Sequence, residues 1–431
     1  MNKLAEALNE TLRDSSAGRL LSRLGRELYF PKGIVYQAAE AGQKAKRFNA
    51  TVGISCQAGK PMMLEAVHRL VPELSSTEAV SYAPPTGVDE LRRLWKAEML
   101  VKNPSLKADA FSLPVVVPGL TPGISLAADL FVDSKTPVLI PDLHWDNYEL
   151  IFETRLETRL HSFPMFSAGG RFNVEGLKAS LLALRPYGKA ALVLNFPNNP
   201  TGYTPSPGEQ RAIAAALSEA AQSGMDILAI CDDAYYGLFY EESCARESIF
   251  AVLGSAHPRI LAVKVDGSTK EDFVWGFRVA FLSFGSQGLE ERHYEALNQK
   301  AAGGLRSTVS NSSRLAQSIM VRAMKDPGYN HEKKEKLEIL TARYERVKRI
   351  IAGRATGRGL VELPFNSGYF MCFRCEGLSA ESLRQKLLAE GIGAICLDDK
   401  YLRVAYASID LENLEELFGA IFKTADEMSG R

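Results

Sequence analysis

The chain has 431 residues, and its 51 Lys and Arg residues balance its 51 Asp and Glu residues. This length predicts two or three domains with a sizeable core. The neutral balance excludes an electrostatic drive toward nucleic acid or an anionic membrane. The first residues lack a continuous apolar segment, which argues against a signal peptide, and the apolar runs are too short to span a bilayer. Six scattered cysteines suit a reducing compartment, so we expect a soluble cytoplasmic protein.

Short apolar runs alternate with amphipathic stretches through the middle of the chain. Runs such as ALVLN and ILAIC are continuously apolar, which is typical of strands buried on both faces. Strand and helix in alternation predict an α/β fold with a mostly parallel seven-stranded sheet wrapped by helices. The predicted strands are Leu113–Val117, Pro137–Ile140, Leu156–His161, Ala191–Asn195, Ile227–Cys231, Ile260–Val265 and Val279–Phe284. The predicted helices between and after them are Pro122–Val132, Val174–Ala183, Ser206–Ser223 and Leu289–Ala301.

The sequence patterns at both ends of the chain predict a second, smaller domain. A long charged helix follows Tyr329, and strands at Tyr369–Arg374 and Leu402–Ala405 alternate with helices at Ala380–Glu390 and Leu411–Glu427. We therefore expect a small α+β domain built from both termini. The predicted division is 1–58 for an N-terminal arm and part of the small domain, 59–339 for the large domain and 340–431 for the small C-terminal domain.

Three motifs superficially suggest other chemistry. The segment from Gly53 to Pro61 has one residue too many between its glycines for a phosphate-binding loop, and a proline stands where the Mg-binding hydroxyl belongs. Cys372 and Cys375 have a metal-like spacing, but no second pair follows and the two point to opposite faces of a strand. Gly391 opens a G-x-G that lacks the later glycine of a dinucleotide site. No metal is therefore predicted.

Polar residues gather where four predicted strands end, and ligands of open α/β sheets bind at that edge. The first strand is followed by a Gly119 turn that opens a helix, a possible anion site. Asn195 to Gly202 holds two prolines and three asparagines in a tight turn that could be cis. Asp232 leaves a buried strand, which is costly unless a cation meets it.

The fourth strand end supplies a candidate nucleophile. Lys270 follows two hydroxyl residues, with Arg278 eight positions later. At such a place a lysine can serve as a Schiff-base nucleophile once its pKa falls below the usual ~10.4. Lys264, inside the strand itself, is the competing candidate, although it lacks a hydroxyl-rich loop and a nearby arginine.

Taken together, these motifs resemble the class I/II aminotransferases, the fold-type-I enzymes that use pyridoxal 5′-phosphate. The resemblance covers nearly the whole chain and rests on the order and spacing of four motifs: Asn-Asn-Pro-Thr-Gly at 198–202, Asp-x-x-Tyr at 232–235, Ser-Thr-Lys at 268–270 with its later arginine, and Arg403 in a late strand.

The resemblance implies a role for each matching residue. Lys270 would hold the cofactor covalently, and Asp232 would keep its ring nitrogen protonated. Asn199 and Tyr235 would bond the ring oxygen, and Trp145 would stack on the ring. The phosphate would be bound by the N–H groups of Leu120 and Thr121, the hydroxyls of Ser268 and Thr269, Arg278, and Tyr82 of a neighbouring subunit, which implies a homodimer with shared sites.

The resemblance also implies how substrates bind. Arg403 would grip the α-carboxylate of an amino acid or 2-oxo acid, with Gly53 leaving room beside it and Asn199 contributing. Arg306 is spaced like the arginine that selects dicarboxylates across the dimer, and an exposed arginine without that role is an equal alternative. On this basis glutamate or aspartate is the preferred donor.

The sequence departs from the family pattern at two places, and two alternative functions remain. Gly267 stands where many relatives have serine, and Leu120 and Pro122 stand where small or polar residues are common. The same residues could instead serve another reaction of this cofactor, such as β-elimination, because geometry decides the fate of the carbanion. A non-catalytic, ligand-sensing relative is a further alternative, although no N-terminal DNA-binding segment is evident.

Overall fold

The structure is a computed structural model that describes residues 34–429, apart from 52, 54, 59, 63, 71, 72 and 355–358, together with the separate residues 3, 6 and 10. Most of the predicted N-terminal arm before residue 34 therefore lies outside the described residues. Within the described ranges, every helix is too short or too polar to cross a membrane.

Seven strands form the main sheet, as predicted. In chain order they are β1 (Val115–Val117), β2 (Val138–Pro141), β3 (Leu160–Phe163), β4 (Lys189–Asn195), β5 (Asp226–Asp232), β6 (Ile260–Asp266) and β7 (Ala280–Gly285). Their spatial order is β1-β7-β6-β5-β4-β2-β3. Only β7 runs antiparallel to its neighbours in this sheet. The other six strands run in one direction and therefore place their carboxyl ends along one edge.

Helices cover both faces of this sheet and continue through the rest of the chain. Ser206 illustrates why they begin where they do, because its side chain and Glu209 form a capping box with Pro207 in the first turn. The α-helices are Ile34–Lys44, Glu65–Leu70, Ser76–Val80, Asp89–Lys102, Leu120–Phe131, Val174–Leu184, Pro207–Gln222, Ile249–Leu253, Ser268–Glu271, Glu291–Thr308, Arg314–Lys325, Tyr329–Ala352, Ala380–Ala389 and Leu414–Met428. Single turns of 3₁₀-helix lie at Arg185–Tyr187, Trp275–Phe277, Tyr406–Ser408 and Leu411–Asn413.

A second sheet carries the late arginine. Its antiparallel strands are β8 (Leu360–Glu362), β9 (Met371–Cys375), β10 (Ile395–Leu397) and β11 (Tyr401–Val404), in the order β8-β9-β11-β10. Arg403 lies on β11, a central strand, opposite Cys372. The two-residue strand Phe48–Asn49 pairs with Ile392–Gly393, and Cys56–Gln57 pairs with Lys60–Pro61.

Two hydrophobic cores lie under these sheets. Ala50 belongs to the second core together with residues of β9 and β11, so the described N-terminal segment packs with the C-terminal part. Helix Tyr329–Ala352 contributes to both, with Leu340 in the large core and Val347 in the small one. The predicted division at 339/340 falls inside this helix, and the domain boundaries stay a prediction.

The local predictions differ from the structure in several places, among them short elements that were not predicted, such as helices Glu65–Leu70 and Ile249–Leu253. The third strand begins at Leu160, later than predicted. Glu149–Thr154 form a π-helix, and residues 155–159 connect this helix to the strand. Helices Asp89–Lys102 and Arg314–Lys325 were not among the predicted elements.

Candidate active site

A cavity of about 160 Å³ opens at the carboxyl ends of the main strands. It contains most of the residues that the sequence marks as cofactor contacts, drawn from the ends of β4, β5 and β6 and from three loops. Its lining residues are Leu120, Thr121, Trp145, Asn195, Asn199, Asp232, Ala234, Tyr235, Thr269, Lys270 and Arg278.

One end of the cavity is suited to an anion. Helix Leu120–Phe131 starts at Gly119 without any side-chain cap, which leaves N–H groups of its first turn available. Gly119 has φ +113°, and a Cβ there would lie 2.1 Å from a terminal nitrogen of Arg278. The glycine therefore lets the guanidinium approach the helix N-terminus, and the two together offer a positive site.

The turn after β6 adds hydroxyl groups to the same end. Ser268 is fully buried, and its Oγ has no hydrogen-bond partner among the described residues. Thr269 lines the cavity, and its hydroxyl donates to Val279 at 3.4 Å. At position 267 a Cβ would lie 2.6 Å from Ala280 Cα, so the serine of many relatives cannot fit here. Close packing of this turn on β7 explains that departure.

A buried carboxylate lies at the end of β5. Asp232 is 3% exposed, and its Oδ2 accepts a 2.5 Å hydrogen bond from the hydroxyl of Tyr148. Its Oδ1 accepts from the N–H of Ala234 at 3.1 Å. Burial raises the pKa of Asp232, while these donors and the charge of Lys270 oppose that effect. The carboxylate is thus held in place with capacity for one cationic partner.

Lys270 faces the same space from the turn after β6. Its Nζ lies 4.6 Å from the centre of the Tyr235 ring. Burial lowers the pKa of Lys270 to about 8, and the charge of Arg278 acts in the same direction against Asp232. A lysine with this pKa is an effective nucleophile near neutral pH.

The asparagine-rich turn after β4 connects the cavity to Arg403. Its Phe196-Pro197 and Asn199-Pro200 peptide bonds are both cis. The N–H of Asn199 donates to Asn195 Oδ1 at 2.7 Å, and Asn199 Oδ1 accepts from Arg403 at 2.9 Å. The turn therefore presents one amide side chain both to the cavity and to the arginine.

Arg403 is a buried cation whose hydrogen-bond partners are uncharged, and Asp146 is the acid whose charge acts on it. It is 2% exposed and donates to Asn199 and to the carbonyl of Thr51, while its Nε has no partner within the described residues. The ring of Phe370 lies 4.3 Å from the guanidinium carbon. Burial lowers the pKa of Arg403. Such an arginine has capacity for a carboxylate ligand.

The remaining predicted residues lie outside the cavity lining. Gly53 is close by, since a Cβ there would lie 3.5 Å from Phe370 and 3.8 Å from the Tyr235 hydroxyl. Tyr82 is 88% exposed, and Arg306 is also exposed, with a hydrogen bond to Ser310. Lys264 is buried inside the sheet and is paired with two aspartates.

The sequence reasoning missed several residues of this region. Asn195 and Ala234 line the cavity, Tyr148 binds Asp232, and Phe370 covers Arg403. Asn195 was visible as a polar residue at a strand end. Tyr148, three positions after Trp145, gave no signal of its own, because aromatic residues are equally common in cores.

Comparison with known proteins identifies the family. The model of the family described as aminotransferase class I and II matches residues 48–421. The chain therefore belongs to the class I and II aminotransferases, a family of pyridoxal 5′-phosphate enzymes, as the sequence motifs predicted.

The most similar proteins share the fold at low identity. An aminotransferase from Anaerococcus prevotii is 22% identical, with a TM-score of 0.83 over 93% of this chain and 97% of that chain. An aspartate aminotransferase from Thermus thermophilus with maleate is 20% identical, with a TM-score of 0.74 over 94% and 99%. A probable N-acetyl-LL-diaminopimelate aminotransferase from Bacillus subtilis is 28% identical over 210 residues. That match spans about half of each of the two chains, 47% in both cases.

Proposed function

We propose that this protein transfers an amino group between an L-amino acid and a 2-oxo acid, with pyridoxal 5′-phosphate held in the cavity. The observation that carries the proposal is the meeting of Lys270 and Asp232 in one cavity, with Arg403 one hydrogen bond away through Asn199. These groups supply the nucleophile, the counter-charge and the carboxylate anchor that such a transfer needs.

The phosphate of the cofactor would bind at the anion end of the cavity. The free N–H groups of Leu120 and Thr121 and the guanidinium of Arg278 supply donors there. Thr269 lines the same cavity, and the unpartnered Ser268 hydroxyl gains an acceptor if the phosphate lies beside it. A small cavity with this donor set favours a compact dianion.

The cofactor ring would lie between Trp145 and the end of β5. Asp232 would pair with the ring nitrogen and hold a proton on it, and Asn199 and Tyr235 would bond the ring oxygen. When bound, pyridoxal phosphate supplies an aldehyde that combines with an amine and a ring that draws electrons from the α-carbon. The residues around it hold that ring still and keep its nitrogen charged.

Lys270 has two tasks in this proposal. With a pKa of about 8, the amine of Lys270 is roughly a tenth unprotonated at pH 7 and mostly unprotonated above pH 8, and the unprotonated form can act as a nucleophile. Once released from the cofactor, the same Nζ would serve as the base that accepts a proton from the α-carbon of the substrate and as the acid that donates it back to the substrate–cofactor adduct. Asp232 stabilises the protonated form of this amine, which helps it to hold that proton.

Substrate binding rests on Arg403. Its buried guanidinium has uncharged hydrogen-bond partners, so an α-carboxylate would be a direct ionic partner and would be desolvated with it. Because Gly53 has no side chain, space is left beside Phe370 and Tyr235 for the rest of the substrate. This arrangement orients the α-carbon toward Lys270.

Three finer features belong to the same proposal. We infer a homodimer because Tyr82 and Val80 are exposed apolar side chains near helix Arg314–Lys325, where a second copy would cover them.

Arg306, exposed on helix Glu291–Thr308, would bind a distal carboxylate across that dimer and favour glutamate or aspartate. No disulfide joins any of the six cysteines, all of which lie within the described residues, and this supports a cytoplasmic location.

An absorbance spectrum of the purified protein with added pyridoxal phosphate tests the proposal. We expect a bound-cofactor band that is absent in Lys270→Ala and present in Lys334→Ala, a control at an exposed lysine of helix Tyr329–Ala352. An amino-acid screen should then give pyridoxamine phosphate and a new 2-oxo acid. Release of pyruvate with ammonia would instead indicate β-elimination, and a colourless wild-type protein would contradict cofactor binding.

A further inference from the structure

A lysine outside the cavity is buried in the main sheet. Lys264, on β6, is 1% exposed, and its Nζ lies 2.5 Å from Asp233 Oδ2 and 2.8 Å from Asp266 Oδ2. Both aspartates are 3% exposed. Because a buried charge is costly unless it is paired, these three residues, called here the buried triad, hold one another in place.

Neighbouring side chains fix the orientation of the buried triad. Ser248 Oγ donates to Asp233 Oδ2 at 2.5 Å, and the indole N–H of Trp95 donates to both oxygens of Asp266 at 3.2 Å. The ring of Tyr236 lies 4.7 Å from the lysine nitrogen. Each carboxylate therefore has a neutral donor as well as the lysine, so the arrangement is over-determined.

The buried triad connects the two strand ends that carry the chemistry. Asp233 directly follows Asp232 at the end of β5, and Asp266 is the last residue of β6, four positions before Lys270. The N–H of Asp233 also donates to the carbonyl of Val265 at 2.9 Å. Any shift between β5 and β6 would therefore stretch the short ion pair between Lys264 and Asp233, while the pair with Asp266 holds Lys264 in place on its own strand.

The buried triad and Asp232 lie on opposite faces of the sheet. Lys264 pairs in register with Cys231, and Val265 pairs with Asp232. Because successive strand residues point to opposite faces, Asp232 shares the face of Val265, and Lys264 lies on the other face, against helix Asp89–Lys102. One layer of backbone separates the two groups, which leaves little water to screen their charges.

We propose that Lys264, Asp233 and Asp266 are positioning residues of the active site, which fix the ends of β5 and β6 and whose net charge acts on Asp232 and Lys270 through the sheet. The inference rests on the proposed function of those two residues. Stability alone does not require the buried triad, because apolar replacements of buried ion pairs are often neutral for stability. The position of the buried triad beside Asp232 supports a role in the active site instead.

The charges around Asp232 are consistent with this role. The positive charge of Lys264 favours the ionised form of Asp232 and so lowers its pKa, against the effect of burial. Glu271, the nearest acid on the Lys270 turn, is neutralised by Lys102 and Lys333. The other ionisable groups that face the buried triad or Asp232 are Tyr148, Cys231, Tyr235, Tyr236, Glu247 and Lys270. None of these is altered in the variants below.

The test compares variants that change the net charge of the buried triad. Asp233→Asn and Asp266→Asn each remove one negative charge, and the double variant Lys264→Met/Asp233→Asn keeps the original net charge. The matched control is Asp410→Asn, which breaks a different, partly buried pair, with Arg343 at 2.8 Å, beside the small core. Each holoenzyme is titrated with alkali, and the midpoint of the pH transition of its cofactor absorbance is recorded beside its melting temperature.

Both single variants should lower that midpoint by at least about 0.3 pH unit, because a lost negative charge disfavours the protonated, cationic chromophore. The double variant should return it to within about 0.2 pH unit of the wild type, and Asp410→Asn should melt lower without moving it. Unchanged midpoints in both single variants, or an equal shift in the control, would overturn the inference. A wild-type protein that takes up no cofactor would instead refute the proposed function.

Discussion

The guanidinium of Arg403 and the side-chain amide of Asn199 are joined by a 2.9 Å hydrogen bond although 204 positions separate them in the chain. The bond links the small sheet to the turn at the end of β4. The arginine is buried near the cavity with uncharged hydrogen-bond partners, which is the basis for its proposed role as the carboxylate anchor.

Replacing Arg403 by alanine should lower kcat/KM for the best amino-acid substrate at least about thirtyfold. Loss of one partner of a desolvated ion pair costs roughly 2–5 kcal/mol, and the lower bound corresponds to that factor. Arg374→Ala, an exposed arginine on β9, is the matched control and should have little effect. Steady-state kinetics measure kcat/KM for each variant. A near-normal kcat/KM in Arg403→Ala would show that Arg403 does not bind the substrate carboxylate.

Uptake of the cofactor by the apo-protein should follow the ionisation of Lys270. Only the unprotonated amine attacks an aldehyde, and a pKa lowered to about 8 makes it unprotonated well below the pH at which an ordinary lysine loses its proton. The rate should rise with pH and level off above about pH 8–9. Trapping with borohydride at a series of pH values measures it.

The carboxylate of Asp232 favours the protonated form of the Lys270 amine. Asp232→Asn should therefore move the midpoint of the pH dependence of cofactor uptake to lower pH. A rate that continues to rise through pH 10 in the wild type would show that Lys270 has an ordinary pKa.

The architecture and the strand ends of the site could be predicted from the sequence. Parallel strands buried on both faces leave continuous apolar runs, and polar residues such as Asp232 stand out where those runs stop. The contact between Tyr148 and Asp232 could not be predicted, because it depends on how the π-helical segment Glu149–Thr154 folds back on the sheet. The packing of Gly267 on Ala280 is likewise a property of the assembled strands.

Replacing Tyr148 by phenylalanine tests whether its hydrogen bond matters for chemistry. The ring stays in the core, and only the hydroxyl that donates to Asp232 is lost. A hydrogen bond to a charged group contributes about 1.5–3 kcal/mol, so kcat/KM should fall at least about tenfold, and the melting temperature should also fall by a few degrees. Tyr187→Phe, at an exposed tyrosine, should match the wild type. Equal kinetics in the two variants would contradict a role for this bond.

The dicarboxylate preference depends on Arg306. If this arginine binds a distal carboxylate, Arg306→Ala should reduce turnover of aspartate relative to alanine by at least about tenfold, because alanine has no second carboxylate to lose. Arg292→Ala, another exposed arginine of the same helix, should leave the ratio unchanged. An unchanged ratio in Arg306→Ala rejects the role and leaves the arginine as a surface residue.

The approach of Arg278 to the helix N-terminus depends on Gly119. A methyl group at this position would overlap the guanidinium and would also strain a backbone with φ +113°. Gly119→Ala should therefore displace Arg278 and weaken binding of pyridoxal phosphate at least about tenfold, measured by fluorescence titration of the apo-protein. Gly224→Ala separates the two effects, because Gly224 has φ +98° and no atom within 4 Å of an added Cβ. It should lose stability and keep its cofactor affinity, and an equal loss of affinity in both variants would assign the effect to backbone strain.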